Sequence, residues 1–469
     1  MWPAMSTPIR RYYLVVCVAL AACGEASSSA DIAADVVETE AEVVVPRSRW
    51  TISVVMPSGA GRQLQAAVGP GGEIGVAAYA DAGVPDGACG EGEASGVRTR
   101  WALQYASLGA GNTWSTEEVA GIVHLGATRG FDLAFDGDGT PTIAALTGEP
   151  IPFYCGANDL GLYRRTGGSW QGEVIVAQSN EAATGEPASD FGSVVGLWPA
   201  LAYDDTGAAL VLYKDVHGGG LQGDDFRRAD LEAAWQGGGG WRHLPVDWGE
   251  GAGDFNQVAF DGEGRPVVIM FHPRDELTDS KRGLWVLRSA DDGATWERVR
   301  VFAGGVSERP SLAIDRDATI WVAWYDGEVG LPYVAHLADT ATFAESAAWV
   351  VQDVGDRVYD EGRQPSLAVS PQGIVALAYQ RCGRASDGIG DCNPARDAVV
   401  LARRDGDLWE REVVQGAGEA GDAAEDNGLC GNYIGLVFKD EAPIVFYQCQ
   451  VDQGDGFMSE LRAALREAL

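Results

Sequence analysis

The feature that most limits what this chain can become is an internal repeat of apolar strand, tight turn and second apolar strand. It occurs at Leu64–Tyr79, Leu133–Leu146, Leu201–Tyr213, Val258–Phe271, Leu312–Tyr325, Leu367–Tyr379 and Tyr433–Tyr447. The turns contain Gly-Pro-Gly-Gly, Asp-Gly-Asp-Gly, Asp-Asp-Thr-Gly, Asp-Gly-Glu-Gly, Asp-Arg-Asp-Ala, Ser-Pro-Gln-Gly and Lys-Asp-Glu. Gly supplies positive φ in such turns and Asp accepts hydrogen bonds from nearby amides, so this is hairpin chemistry. A second motif alternates with the first: a strand, a short turn and a Trp that opens the next strand. Trp114, Trp170, Trp241, Trp296, Trp349 and Trp409 fill that slot.

The two ends complement one another. Trp50 begins Trp50-Thr51-Ile52-Ser53-Val54-Val55, a fourth-strand pattern with no first three strands before it. The last repeat has its hairpin and a third segment at Ser459–Arg466, with no Trp strand after it. Pairing them completes a seventh four-stranded sheet and closes a ring, which removes the open edges an unclosed array would carry. The expected fold is therefore all-β: a seven-bladed β-propeller over residues 49–469, closed by the N-terminal strand against the C-terminal blade. Six or eight blades would follow if one repeat were misread. A series of β-sandwich domains would leave the complementary ends unexplained.

Residues 1–23 have the pattern of an export signal. Arg10 and Arg11 provide the positive start, and Tyr12–Ala22 is an apolar run too short to span a bilayer as a mature helix. The run ends Leu20-Ala21-Ala22-Cys23, which resembles a bacterial lipobox. That resemblance implies cleavage and a lipid on Cys23; a plain signal peptide cut nearby is the alternative. By the same analogy Gly24, rather than Asp, points to the outer membrane, with the leaflet left open. Residues 24–48, rich in Ser, Ala, Glu and Val, read as a flexible tether. Loss of Arg10 and Arg11 leaves 32 basic against 68 acidic residues, a charge of −36. Such a surface repels nucleic-acid phosphates and anionic headgroups, so the expected partners are the membrane through its anchor and a protein or glycan ligand. A monomer without cofactor is expected.

Within the fourth repeat stands Ser289-Ala290-Asp291-Asp292-Gly293-Ala294-Thr295-Trp296. Asp291 suits a turn that accepts from its own amides, Gly293 suits positive φ, Ser289 and Thr295 offer hydroxyls, and Trp296 opens the next strand. The stretch resembles the Asp box of sialidases and of many non-catalytic β-propellers (the BNR repeat). Ser107–Trp114 is a worn copy with Gly109 in the Asp position, and Thr166–Trp170 is a shorter remnant. In that family the box is a structural turn on the face away from the active site.

Eight cysteines are present; Cys17 lies in the signal and Cys23 in the lipobox. The other six, in an exported chain, are expected to form disulfides. Cys430 and Cys449 lie nearly equidistant from the turn at Lys439-Asp440 and should face each other across a hairpin. Cys382 and Cys392 bracket a loop containing Gly388 and Gly390. Cys89 and Cys155 occupy the same loop slot in neighbouring blades, and a disulfide between them would cross-link those blades. A metal site lacks support, with no Cys-x-x-Cys pair and no nearby His pair. Asp136-Gly137-Asp138-Gly139 occupies a hairpin turn and lacks the later ligands of a calcium loop.

In a propeller the loops between second and third strands, and those between blades, share one face. Here they are swollen: Ala80–Thr99, Thr147–Gly161, Asp215–Arg227, Pro273–Arg282 and Arg381–Arg396, with the connectors Ala177–Gly196 and Gly416–Gly428. That face is the expected working surface. Likeness to sialidases would imply three arginines holding a carboxylate, a Tyr–Glu nucleophile pair and an Asp acid/base. The candidates are Arg309, Arg363 and Arg381 with Tyr325, Asp326, Tyr359, Asp360, Glu361 and Tyr379. Arg before Pro at a blade start and an aromatic ending the second strand are also repeat features, which suits blade bracing. The Arg-Ile-Pro signature of sialidases has no counterpart in Trp50–Met56. No Gly-x-Ser-x-Gly, Gly-x-x-x-x-Gly-Lys or His-Glu-x-x-His occurs, and the five histidines stand singly, His217 in an expected top loop. Two functions follow: a lipid-anchored, non-catalytic binding propeller, or a sialidase-like glycoside hydrolase using the same face.

Overall fold

The computed structural model describes residues 50–57, 59–89, 96–125, 130–147, 159–177, 194–216, 229–247, 251–272, 282–304, 309–390, 392, 397–416, 429–452 and 457–466. All of them belong to one compact unit, Arg47–Leu469. The signal, Cys23 and the tether lie outside the described residues.

After β1 (Trp50–Met56), blade 1 is β2 (Ala60–Val68), β3 (Ile74–Cys89), β4 (Gly96–Leu108) and β5 (Trp114–Leu125). Blade 2 is β6 (Phe131–Phe135), β7 (Pro141–Thr147), β8 (Asp159–Thr166) and β9 (Ser169–Val176). Blade 3 is β10 (Val194–Tyr203), β11 (Ala209–Val216), β12 (Ala229–Gly237) and β13 (Gly240–Asp247). Blade 4 is β14 (Asp254–Phe260), β15 (Pro266–His272), β16 (Gly283–Arg288) and β17 (Glu297–Phe302). Blade 5 is β18 (Ser311–Ile314), β19 (Ile320–Asp326), β20 (Leu331–Leu337) and β21 (Val350–Asp353). Blade 6 is β22 (Tyr359–Val369), β23 (Val375–Arg384), β24 (Ala398–Asp405) and β25 (Leu408–Gly416). Blade 7 is β26 (Leu429–Lys439), β27 (Ala442–Asp452) and β28 (Phe457–Arg466), with β1 as its fourth strand.

The ring closes as the chain ends imply. Trp50 pairs with Arg466 and Val54 with Arg462 in an antiparallel ladder, so blade 7 is built from both extremities. The first strands touch in cyclic order, β2 to β6, β10, β14, β18, β22, β26 and back to β2. This is a seven-bladed β-propeller.

Seven apolar clusters fill the seven blade interfaces, and each takes in one Trp of the repeating slot. Trp50 lies in the cluster between blades 6 and 7, and Trp114 in that between 7 and 1. Trp170, Trp241, Trp296, Trp349 and Trp409 serve the remaining five. Each caps the outer rim of its blade's interface with the preceding blade; Trp114 donates its indole N–H to Ser53 of β1 at 3.1 Å. A large apolar plate suits that position because it fills area, and at Trp114, Trp349 and Trp409 the N–H also finds an acceptor.

One expectation is corrected. Ala80–Thr99 was expected as a loop, but β3 continues to Cys89 and β4 begins at Gly96. The two strands pair with each other beyond the blade, with register shifts between Asp81 and Pro85 and between Pro85 and Ala88. Bulges let the ladder accommodate a proline that would interrupt regular pairing.

Candidate functional site

The short turns and the mouth lie at opposite ends of the strands. On the turn side, Asp136, Asp204, Asp261 and Asp315 each accept two backbone amides of their own turns through one carboxylate oxygen. Asp136 is thus engaged by the amides of Asp138 and Thr140. In the Ser289–Trp296 turn, Asp291 accepts from the Thr295 amide at 2.8 Å and hydroxyl at 2.7 Å. Ser289 Oγ accepts from Gly293 N at 2.9 Å, with Gly293 at φ +82°. Those bonds hold the Asp291 carboxyl below its usual range.

At the mouth end the first strands carry a repeated bulge. A Gly at positive φ is followed two residues later by a non-Gly residue at φ near +50°: Gly61 and Gln63, Gly196 and Trp198, Gly253 and Phe255, Gly362 and Gln364, Gly431 and Tyr433. The ladder slips at each. Left-handed backbone at a bulky residue is strained. Its recurrence in five blades makes it part of how a first strand turns into the mouth.

In five blades a first-strand side chain latches its blade to the next, and in blades 1, 4 and 6 it stands just below the bulge. Gln65 donates to the Phe131 carbonyl at 3.3 Å. Asp132 accepts from Leu201 N, Gln257 from Leu312 N, Ser311 from Leu367 N and Ser366 from Leu436 N, all at 2.7–2.9 Å. These groups run down the axis. Gln65, Gln257 and Ser366, with Arg309 and Gln364, line a narrow channel of about 20 Å³, room for roughly one water. Arg309 therefore sits on the axis, where burial pulls its pKa down and the Asp132 carboxylate supports it. Burial raises Asp132 to about 6, against its two backbone hydrogen bonds and Arg309.

Arg363 and Arg381 lie away from Arg309, in blade 6. Arg363 stacks over the Tyr325 ring at 5.5 Å and Arg381 over Tyr359 at 4.4 Å. Both charges act on Asp397, which is 2% exposed and whose carboxylate burial raises to about 7. Asp397 lies beside the Cys382–Cys392 disulfide, where three potential ligand atoms come within 4.8 Å of one another, two of them bonded sulfurs. The structure thus brings two of the three sequence-selected arginines together and leaves the third on the axis.

The second-strand tyrosines act as struts between blades. Tyr79 donates to the Gly130 carbonyl at 3.3 Å and Tyr325 to Asp360 Oδ1 at 2.7 Å; Tyr213 donates within its own blade to Glu232 at 2.7 Å. Tyr447 donates to Gln415 of blade 6. Tyr379 is fully buried, its pKa pushed far up by burial and by Glu361. Glu361, 2% exposed, is raised by burial and bound to Arg411 at 3.1 Å. Asp326 closes a turn, accepting from Glu328 N. A Tyr–Glu–Arg group therefore exists, with Arg411 unforeseen; Tyr379 and Glu361 are buried in it, and Arg411 reaches Glu361 from the exposed outer strand.

An open cavity lies elsewhere. About 480 Å³ opens at the mouth where blades 7 and 1 meet, lined by Arg62, Gln364, Asn432, Tyr433, Gln448, Gln450 and Ser459. The blade 7 wall comes from β26 and β27, where Asn432 pairs with Gln448, and Gln448 and Gln450 flank Cys449. Cys430 and Cys449 are disulfide-bonded across that ladder with Cα atoms 4.1 Å apart. Sequence reading picked out neither Gln. A signal was available: on one face of β27 the apolar alternation Ile444, Phe446 turns to amides at Gln448 and Gln450. Cys155, His217 and most of the long loops expected on this face lie outside the described residues, as does the Cys89 side chain.

No family model and no curated protein matches the chain. Solved structures with a similar fold include a protein of unknown function from Dyadobacter fermentans, at 14% identity and TM-score 0.46, over 88% of this chain and 99% of that one. The NanB sialidase from Streptococcus pneumoniae aligns at 10% identity and TM-score 0.44, over 89% of this chain and 94% of its own. A PL25 ulvan lyase aligns at 14% and 0.38, over 69% and 81%. Likeness at this level concerns the propeller alone.

Proposed function

We propose that this chain is an exported, lipid-anchored envelope protein whose propeller binds a glycan at its mouth without catalysis. The observation that carries the reading is the separation of two features: an open polar cavity at the junction of blades 7 and 1, and a Tyr379–Glu361 pair buried beneath the exposed Arg411. A nucleophile must reach its substrate, and a fully buried phenol between packed sheets does not. Open polar groups around a concave site are suited to reversible binding. Cys23, in its lipobox-like setting, supplies the anchor in this reading, and residues 24–48 the reach. The Asp-box resemblance of Ser289–Trp296 fits a member of the wider sialidase-like group that has kept the scaffold.

The sialidase-like alternative draws on the same Tyr–Glu–Arg proximity. Full-length protein applied to a glycan array, with chromogenic α-sialosides and other aryl glycosides assayed in parallel, separates the two. Array binding without turnover is the expected result. Release of aglycone that Glu361→Gln abolishes would replace the binding reading with the hydrolase.

A further inference from the structure

We infer that the cavity between blades 7 and 1 is a site for an acidic saccharide, a polyhydroxylated ring bearing one carboxylate; this rests on the binding reading above. Four of its seven described lining side chains are carboxamides or an aliphatic hydroxyl from blade 7: Asn432, Gln448, Gln450 and Ser459. None of these four side chains makes a hydrogen bond to another described residue. Gln448 decides the matter, because it is only 3% exposed yet its amide faces the cavity without a protein partner. A buried amide left unbonded is costly, so one held against a cavity is placed for a ligand or for water that a ligand displaces. Amides both donate and accept, which matches vicinal hydroxyls that do the same.

Charge narrows the class. The chain carries twice as many acidic as basic residues, yet among the described residues no carboxylate lines this cavity and one guanidinium does. Arg62 is exposed, stacks over Trp101 at 4.8 Å and has no ion pair among the described residues. Stacking fixes the plane of the guanidinium and leaves its N–H edge available for a two-point contact with a carboxylate. Tyr433, held at φ +51° by the bulge, supplies a ring at the wall on which a sugar face can rest.

Titration calorimetry of the full-length protein with a galacturonic acid trisaccharide and its neutral galactose counterpart tests this. The acidic ligand is expected to bind about tenfold more tightly, and Arg62→Gln to bring the two affinities together. Gln448→Leu, close in volume, is expected to weaken both by about tenfold or more, with its thermal midpoint recorded to confirm folding. Asn432→Ala, half-buried, provides a second variant should Gln448→Leu fail to fold. Equal affinities in the wild type, or variants without effect on a protein that does bind, would overturn the site and leave the broader glycan reading in place. No binding to any array glycan removes both.

Discussion

Asp132 shows how one axial carboxylate can be held by the fold and strained by it. It accepts from Leu133 N and Leu201 N and faces Arg309, yet loss of water outweighs these and lifts its pKa to about 6. A raised acid binds more protons folded than unfolded between its two pKa values, so its contribution is full below about 4 and is lost as pH rises through 6. The stability of wild type relative to Asp132→Asn should therefore fall as pH goes from 4 to 7, by up to about 3 kcal/mol. Denaturation of both proteins across that range measures it; a pH-independent difference would count against the burial argument. Asp397, raised to about 7, obeys the same sign in a slightly higher window. Neither residue stands out in sequence, because an Asp in a strand reads the same whether it faces solvent or an axis.

At the level of the strand, five blades are each tied to the next by a first-strand side chain near the mouth. Ser366 accepts from Leu436 N at 2.9 Å, a contact between blades 6 and 7. Ser366→Ala leaves that amide without its partner and should cost about 1–3 kcal/mol, with faster hydrogen exchange at Leu436 as the local readout. Unchanged exchange there would mean the latch is replaced by water. The tryptophans at the outer rim were legible because a large aromatic recurs at a fixed place in every repeat. The latches were not, since Gln65, Asp132, Gln257, Ser311 and Ser366 share a position without sharing a residue type. What unites them is reach to one backbone group in the neighbouring blade, a three-dimensional property.

For the whole molecule, closure is the decisive event. β1 covers the outer edge of β28 from Trp50 to Met56, and Trp50 also packs against blade 6. Removing residues 50–56 should expose that edge and open the interface between blades 6 and 7. The expected outcome is self-association by light scattering and a lowered thermal midpoint, because an unpaired strand edge recruits other strands. A monomeric, equally stable truncation would show that the ring does not depend on its joint.

Sequence by itself determined the ring. Strand alternation, turn chemistry and a Trp at a fixed offset are local properties repeated seven times, and two incomplete ends have one economical way to pair. Two cysteine pairs, Cys382–Cys392 and Cys430–Cys449, followed from the same map. Tertiary structure alone decided which polar groups meet and which of them water can reach. It set Arg309 on the axis apart from Arg363 and Arg381, shut Tyr379 and Glu361 between blades, and opened the amide-lined cavity at the joint of blades 7 and 1. The reason is physical: periodicity fixes the face on which a side chain lies, whereas burial and partnership depend on how closely a separate blade approaches that face.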